Sequence, residues 1–269
     1  IRQFLSELYV MNIFERIIGS DNLEKQRYDI RANSKLRNLQ SKKFTKNDPF
    51  LTIDSYLQEP YKFYLKILKE NLSSNKKVLE IGCGTGNLSE VLLQNANEVY
   101  FLDISQKSLE FLKKRYAKYK NFKCINANMD QTPFENESFD LIVTAGSLSY
   151  ANNKYLMKEI LRLLKKNGSF ICVDTINSNP IYILFRIINI ILLKRSLITF
   201  YRIPNLFTIS FMRNFFTKSK IKYFGSISFL MPFLNILIKD DRCKKLSSEC
   251  DKILKNSFFA YKFVLNCKK

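Results

Sequence analysis

The sequence predicts an α/β domain that is built on a mostly parallel β-sheet. From about residue 77, apolar strand-like runs alternate with helical stretches, and the first four runs are spaced by about one βα unit each. A loop with glycine at every second position follows the first run, and Asp103 ends the second. These features are typical of a sheet that binds a nucleoside at the carboxyl ends of its strands.

The order of the elements follows from the apolar periodicity. The predicted strands are 78–81, 99–102, 122–126, 141–144, 169–173, 220–224 and 260–265. Helices are predicted at 56–72, 87–94, 106–119 and 154–164, and the last is expected to end at Asn167 and Gly168. We therefore expect a helical N-terminal cap over 1–75, in which 1–10 is treated as an extension, and a domain over 76–269 with an insertion at 177–217.

Composition excludes several classes of enzyme. The chain of 269 residues is 46% hydrophobic, which supports a sizeable core, and it contains no histidine. Ser-His-Asp hydrolases and His-ligated metal enzymes are therefore excluded. The six cysteines form no CxxC pair, which indicates reduced thiols in the cytoplasm and no metal site. Charged residues interrupt the first twenty positions, so no signal peptide is predicted.

Charge is concentrated in the last third of the chain. The net charge is +20, and residues 177–269 hold 17 basic and 4 acidic side chains, which indicates an anionic partner. The most apolar run, 181–193, is shorter than the roughly 20 residues that cross a bilayer. It is predicted to be a buried helix, a lid over an acceptor site, or a helix that lies at a membrane surface.

The glycine spacing distinguishes two kinds of nucleoside pocket. A dinucleotide fingerprint has its third glycine three residues after the second, but here that position is Asn87 and Gly86 comes one residue early. The run VLEIGCGTGNLS at 78–89 instead resembles motif I of class I S-adenosylmethionine (SAM)-dependent methyltransferases of the methyltransferase-11 and -25 type. The resemblance implies a Rossmann-like, seven-stranded, mostly parallel sheet with an antiparallel last strand. It also implies SAM as cofactor and S-adenosylhomocysteine as product.

The same resemblance assigns roles to individual residues. Asp103 would accept hydrogen bonds from both ribose hydroxyls, while Asn128, where the family usually has Asp, would face the adenine amino group. Glu80 would brace the glycine loop and help to place the methionine amine, and a hydrogen-bond partner is expected because an unpaired buried carboxylate is costly. Tyr28, Asp29 and Ala32 resemble an element that closes over the cofactor. The predicted cofactor-binding residues are Tyr28, Glu80, Gly82, Cys83, Gly84, Gly86, Asp103, Ile104, Asn128, Met129 and Ala145.

The acceptor side is predicted from less specific features. Many relatives carry histidine where Ser149 or Tyr150 stands, so Tyr150 is expected either to orient the acceptor or to pack on the cofactor. A hydroxyl acceptor would need Tyr150, a carboxylate such as Asp174, or water to take up its proton. The segment 179–225 is similar to bacterial methyltransferases associated with surface glycans, which makes its arginines candidates for holding an anionic group. These arginines are Arg186, Arg195 and Arg202.

The sequence thus predicts methyl transfer from SAM to a small-molecule or lipid-linked, anionic acceptor, with a sugar hydroxyl or amine as the first choice. A lipid or quinone methyltransferase at a membrane surface and a non-catalytic SAM-binding protein are the alternatives. A nucleic-acid acceptor is disfavoured because no base-flipping motif or RNA-binding module is recognisable. The expected location is the cytoplasm, with peripheral contact at the inner face of the membrane.

Overall fold

The computed structural model describes residues 17–40, 50, 53–238, 240–254 and 257–269, so the extension at 1–10 lies outside the described residues. A central sheet carries helices on both faces. Its strands are β1 (Lys77–Ile81), β2 (Glu98–Asp103), β3 (Phe122–Asn126), β4 (Phe139–Ala145), β5 (Leu164–Thr175), β6 (Lys218–Phe224) and β7 (Lys262–Lys268). The helices are α1 (Asp21–Gln40), α2 (Glu59–Asn71), α3 (Glu90–Asn95), α4 (Gln106–Arg115), α5 (Asn153–Leu163), α6 (Pro180–Ile191), α7 (Leu197–Arg202), α8 (Leu206–Arg213), α9 (Met231–Leu237) and α10 (Asp240–Leu254).

The strand order is β3-β2-β1-β4-β5-β7-β6. Strand β7 runs antiparallel to both of its neighbours, whereas all other pairs are parallel. The predicted α/β class, with seven strands and an antiparallel last strand, is confirmed. The strand order reverses between β1 and β4, and ligands of such sheets bind in the crevice beyond the carboxyl ends of those two strands.

Both faces of the sheet are buried, as is usual for parallel strands. Successive residues of β1 serve different cores, because Val78 packs with Val99 on one face while Leu79 packs with Ile142 on the other. Buried side chains of α2, α3 and α4 cover the first face, and those of α5 and α8 cover the second. The edge of the sheet that carries the β1 and β4 carboxyl ends is therefore held by packing on both sides.

The predicted glycine stop after α5 is wrong. The helix ends at Leu163 and the chain enters β5 at once, since Leu164 pairs with Phe139. The next paired residue, Ser169, faces Leu141, so the chain between the two pairings bulges out of the strand. Asn167 lies in this bulge with a φ of +66°. A turn signal there marks an irregularity within a strand, which local sequence does not distinguish from a helix end.

The insertion after β5 consists of α6, α7 and α8, and two further helices, α9 and α10, were not predicted. Helix α6 begins after Asn179, whose side-chain oxygen accepts a hydrogen bond from Ile181 N at 2.9 Å. The side-chain nitrogen of Asn179 donates to the carbonyl of Phe259, which ties the start of α6 to the segment before β7. Within the described residues, no helix is both long and apolar enough to cross a membrane.

Packing at β7 provides a test of this core. Phe263 is fully buried, so Phe263→Ala is expected to lower the free energy of unfolding by about 3–5 kcal/mol through lost burial and a cavity. Phe207 on α8 is 82% exposed, and Phe207→Ala is expected to change that free energy by less than about 0.5 kcal/mol. Urea denaturation of both variants measures the difference, and equal effects would contradict the assignment of Phe263 to the core.

Candidate functional site

A cavity of about 490 Å³ lies at the carboxyl ends of β1, β2 and β4, under helix α1. This volume is in the range of small-molecule sites. Ten of the eleven predicted cofactor-binding residues line it, and Tyr150 lines it as well. These residues are Tyr28, Glu80, Gly82, Cys83, Gly84, Asp103, Ile104, Asn128, Met129, Ala145 and Tyr150.

The glycine loop needs glycine for two different reasons. At Gly82, φ is +62°, and a Cβ would lie 2.5 Å from the Cβ of Ser147, so the turn out of β1 has no room for a side chain. At Gly84, φ is +53°, and a Cβ would meet no atom within 4 Å. Because Gly84 lines the cavity, its bare backbone lets a ligand approach closely.

Gly86 is the predicted cofactor residue that does not line the cavity. A Cβ there would lie 2.9 Å from the ring of Tyr116, which directly follows helix α4, and 3.1 Å from Leu112 within that helix. The hydroxyl of Tyr116 donates to the carbonyl oxygen of Gly86 at 2.5 Å. Gly86 therefore packs the loop against α4, while its neighbours Gly82 and Gly84 line the cavity.

Asp103 joins the loop to the next helix. Its Oδ2 accepts a hydrogen bond from Gly84 N, and its Oδ1 accepts one from Ser105 N, each at 2.8 Å. Burial raises the pKa of this carboxyl above its usual value, although the two N–H donors oppose that shift. Each carboxylate oxygen can accept a second hydrogen bond, so Asp103 can hold the loop and still bind two hydroxyls that lie in the cavity.

Glu80 is a buried carboxyl that interacts with the Ser89 hydroxyl and keeps one oxygen unpartnered among the described residues. It is 4% exposed, and its Oε2 has no hydrogen-bond partner among the described residues. Burial raises its pKa to about 7, and the nearby charge of Asp103 adds to the shift, while the Ser89 hydroxyl opposes it. A cationic group in the cavity would stabilise the ionised form of Glu80.

Asn128 and Met129 form a further part of the wall. Asn128 Oδ1 accepts a hydrogen bond from Asp130 N at 3.0 Å, which fixes the orientation of the amide and leaves one lone pair of that oxygen for a ligand donor. The terminal methyl of Met129 would lie 3.5 Å from a Cβ on Gly82, so the end of this side chain lies beside the glycine loop. This arrangement suits a flat aromatic ring with an exocyclic amino group.

Helix α1 supplies residues that the sequence analysis missed. The missed residues are Asp21, Glu24 and Arg31, which line the cavity together with the predicted Tyr28, and their spacing places all four on one face of the helix. These four residues recur in the sequence at intervals of three, four and three positions. The pattern does not by itself indicate a site, because polar residues at this spacing are usual on an exposed helix face. The hydroxyl of Ser105 donates to Asp29 at 2.5 Å and holds α1 against the start of α4.

Tyr28 and Tyr150 meet above the glycine loop. Their ring centroids are 5.2 Å apart and the rings are nearly perpendicular, at 84°. Burial raises the pKa of Tyr28 well above its usual value, and interaction with Tyr150 adds to the rise. Tyr28 therefore stays protonated at neutral pH, and both rings contribute an aromatic wall to the cavity.

The three predicted acceptor arginines do not line the cavity. Arg186 is buried and donates to Ile176 O at 2.9 Å and to Asn177 Oδ1 at 2.6 Å, and burial lowers its pKa to about 10. Arg202 pairs with Asp21 at 2.9 Å and donates to the carbonyl of Tyr150 at 3.1 Å. Arg195 is partly buried outside the cavity. The first two satisfy acceptors of this chain, so a basic residue beside an apolar run did not identify a ligand contact.

The chain is similar to known proteins in both sequence and structure. A family model described as "Methyltransferase domain" matches residues 79–172, about a third of the chain, from β1 into β5. Residues 79–172 are therefore similar to methyltransferase domains, a class of domain that takes its methyl group from SAM.

One relative in sequence is the demethylmenaquinone methyltransferase of Staphylococcus aureus (strain MRSA252), which is 29% identical over 123 residues. The match covers 44% of this chain and 51% of that protein, so this chain spans about half the length of the relative. The match gives no information on the residues of this chain that lie outside it.

Solved structures share the fold. The YcgJ protein of Bacillus subtilis is 16% identical with a TM-score of 0.52, and the match covers 77% of this chain and 98% of that one. The geranyl diphosphate C-methyltransferase of Streptomyces coelicolor A3(2), solved with S-adenosylhomocysteine, is 15% identical with a TM-score of 0.55. That match covers 79% of this chain and 80% of the other. At these identities the likeness establishes the fold of the methyltransferase domain.

The cavity residues fit the cofactor of this class. Asp103 offers two free acceptor positions for vicinal hydroxyls, and Gly84 lets the ligand approach the backbone. Glu80 offers an oxygen, Oε2, that has no hydrogen-bond partner among the described residues and can accept a bond from a cationic ammonium group. The sulfonium and ammonium of SAM are both positive, so the two buried acids of the methyltransferase domain match its charge.

The raised pKa of Glu80 predicts a pH-dependent stability of the protein without ligand. In the unfolded chain the carboxyl titrates near 4.5, and in the folded protein near 7, so folding disfavours its ionised form. The contribution of Glu80 to the free energy of unfolding is therefore fully present below pH 4.5, where the carboxyl is protonated in both states. It is lost as the pH rises through 7. Glu80→Gln removes the penalty and is expected to raise the free energy of unfolding above pH 7 by on the order of 3 kcal/mol relative to the wild type.

Urea denaturation across this pH range measures the effect on wild type and Glu80→Gln. Glu135→Gln, at an exposed position, is the control for the loss of one negative charge. A difference between wild type and Glu80→Gln that is independent of pH would show that the carboxyl is not desolvated in the folded protein.

Proposed function

We propose that this protein transfers a methyl group from SAM to a small-molecule or lipid-linked acceptor, with a sugar hydroxyl or an amine as the accepting group. The observation that supports this most strongly is that Asp103 has two roles at the cavity. The same carboxylate holds Gly84 and the start of α4 and still presents acceptors to a ligand. Such a site is specific for a nucleoside with free ribose hydroxyls.

In this proposal the side chains of the cavity align the reactants. When bound, SAM supplies an activated methyl group on a sulfonium. Asp103 orients the ribose, Asn128 and Met129 hold the adenine, and Glu80 holds the methionine ammonium. The Tyr28 and Tyr150 rings exclude water from the face where an acceptor would enter. Alignment and exclusion of water together promote an in-line displacement.

Among the described residues, the cavity lining contains no lysine or histidine that could act as a strong base. Histidine is absent from the whole sequence, and Asp174 accepts hydrogen bonds from Leu148 N and Thr175 N at 2.8 and 2.7 Å without lining the cavity. Burial raises the pKa of Asp174. We therefore assign Tyr150 to orienting the acceptor, and an amine acceptor fits because it needs no strong base to react.

Charge at the cavity revises the expected acceptor. Among the described residues, the lining carries the carboxylates of Asp21, Glu24, Glu80 and Asp103 and one guanidinium, Arg31. Two of these acids are paired, Asp21 with Arg202 and Glu24 with Arg27 at 2.8 Å. The cavity of this basic protein is thus neutral to acidic. We replace the anionic acceptor that the overall charge suggested with a neutral or cationic accepting group.

Cofactor binding tests the proposal directly. Asp103→Asn removes the charge that accepts the ribose hydroxyls and is expected to weaken S-adenosylhomocysteine binding by about ten- to a hundredfold, as for a hydrogen bond to a charged group. Isothermal titration calorimetry measures the affinity. Asp251 is a matched control because it also accepts two backbone N–H bonds, from Gly225 and Ser226, away from the cavity.

Asp251→Asn is expected to leave the affinity unchanged while costing comparable stability. Equal loss of binding in both aspartate variants would show that Asp103 acts only on the fold. No binding of S-adenosylhomocysteine by the wild type would reject the proposal.

A second candidate acceptor is a lipid or quinone at a membrane surface. Two observations favour it. The Staphylococcus aureus relative is named as a demethylmenaquinone methyltransferase. Helix α6 of the insertion also exposes large apolar side chains, including Leu184 and Ile191.

Transfer from methyl-labelled SAM distinguishes the two acceptors. Nucleotide sugars in buffer and reduced demethylmenaquinone in detergent are the two probes, and label is counted in the aqueous and organic phases. With the accepted probe, Tyr150→Phe is expected to lower transfer by about tenfold through loss of one orienting hydrogen bond, while S-adenosylhomocysteine affinity stays unchanged. Transfer to neither probe, with intact cofactor binding, would favour the non-catalytic alternative.

A further inference from the structure

Helix α6 faces its apolar side outward. Its fully or largely buried positions are Arg186 and Ile190. Its outer face, with the residue that follows the helix, is apolar and is named here the α6 face. It consists of Leu184, Phe185, Ile187, Ile188, Ile191 and Leu192, which are 40–72% exposed. A helix that only covers a core turns its apolar side inward, so this orientation needs another explanation.

Polar contacts on the inner side hold α6 in this orientation. Arg186 reaches inward to Ile176 O and Asn177 Oδ1, and these bonds satisfy a buried guanidinium. Asn179, before the helix, bonds both Ile181 N and Phe259 O. Rotating α6 to bury its apolar side would leave Arg186 and these acceptors without partners, at a cost of several hydrogen bonds. The exposure is therefore built into the fold.

Further exposed apolar residues lie close to the N-terminal end of α6. The Tyr182 ring contacts Phe229, at 6.2 Å between centroids, and the next residue, Leu230, is exposed. The hydrogen bond from Asn179 to Phe259 brings the exposed side chains of Phe258 and Phe259 to the same end. The apolar surface therefore extends beyond one helix, across two segments that flank β6 and β7.

The charge around this surface favours an anionic partner. No Asp or Glu occurs between Asp174 and Asp240, whereas nine Lys and Arg residues lie there. Lys194, two residues after the α6 face, is exposed, whereas Arg195 is half-buried. A second copy of the chain would bring two acid-free basic segments together, which like-charge repulsion disfavours. A bilayer with anionic headgroups satisfies both the apolar face and its basic border.

The geometry fits a helix that lies in the plane of the membrane. Twelve residues of helix extend about 18 Å, whereas a bilayer core is about 30 Å thick. We propose that the α6 face inserts into the headgroup region of an anionic lipid bilayer, with Lys194 at the level of the lipid phosphates. This proposal goes beyond methyl transfer and is tested without cofactor or acceptor.

Co-sedimentation with vesicles tests the apolar contribution. The protein is expected to bind vesicles of phosphatidylglycerol and phosphatidylcholine at low salt. The double variant Leu184→Gln/Ile191→Gln removes two exposed apolar side chains, 57% and 72% exposed, and is expected to bind at least about tenfold more weakly. The matched variant Leu184→Met/Ile191→Leu keeps the apolar face and is expected to bind like the wild type. Thermal unfolding confirms that all variants fold.

A pair of charge reversals tests the basic border. Lys194→Glu is expected to weaken binding to the anionic vesicles by about tenfold, because it replaces an attractive charge near the surface by a repulsive one. Lys114→Glu makes the same change of charge at an exposed position on α4, which packs by β2 and β3 at the other end of the sheet. It is expected to leave binding nearly unchanged.

Three outcomes would overturn the proposal. The first is a wild-type protein that stays in the supernatant with anionic vesicles at low salt. The second is equal binding by the glutamine double variant and its apolar counterpart. The third is a dimer in sedimentation equilibrium that the glutamine double variant dissociates, because the α6 face would then be covered by a second copy of the chain.

Discussion

The site depends on the two hydrogen bonds that Asp103 accepts at the end of β2. One comes from Gly84 in the loop after β1, and the other comes from Ser105 at the start of α4. Ser105 in turn caps α4 through Ser108 N and bonds Asp29 of α1. A single carboxylate thus connects the glycine loop, a crossover helix and the N-terminal helix. The loop can hold its positive-φ conformation because neighbouring elements fix it at both ends.

The same site concentrates negative charge inside a strongly basic protein. Asp103 and Glu80 are both buried, and burial raises both pKa values. Burial of an acid destabilises the folded protein. Glu80, with one unpartnered oxygen, therefore lowers stability, whereas the two N–H donors of Asp103 offset part of the cost of burying it. Charge summed over the whole chain describes the outer surface and gives no information on the sign of the cavity.

Helix α1 and the insertion are coupled across the cavity. Arg202 of α7 binds Asp21 of α1 and the carbonyl of Tyr150, and Ser196 donates to Glu24 at 3.1 Å. Residues far apart in the sequence therefore set the position of the Tyr28 and Tyr150 rings. If the α6 face rests on a membrane, this coupling links the membrane-facing insertion to the entrance of the cavity.

The sequence by itself determined the parallel sheet, the glycine loop and ten of the lining residues. These features are local, because apolar runs and glycine spacing follow from backbone geometry within one βα unit. Asp103 and Glu80 could be found for the same reason, since each stands at a fixed distance from the loop. The bulge at Asn167 could not, because its turn signal is identical to that of a helix end.

Only the tertiary structure decided which groups the arginines bind and which residues of α1 line the cavity. Arg186 and Arg202 satisfy acceptors that folding brings to them, and Asp21 and Glu24 reach the cavity only because α1 packs over it. The outward orientation of the α6 face was also decided there, since the bonds of Arg186 determine which side is buried. Long-range contacts determine these positions, and a single sequence carries no local pattern for such contacts.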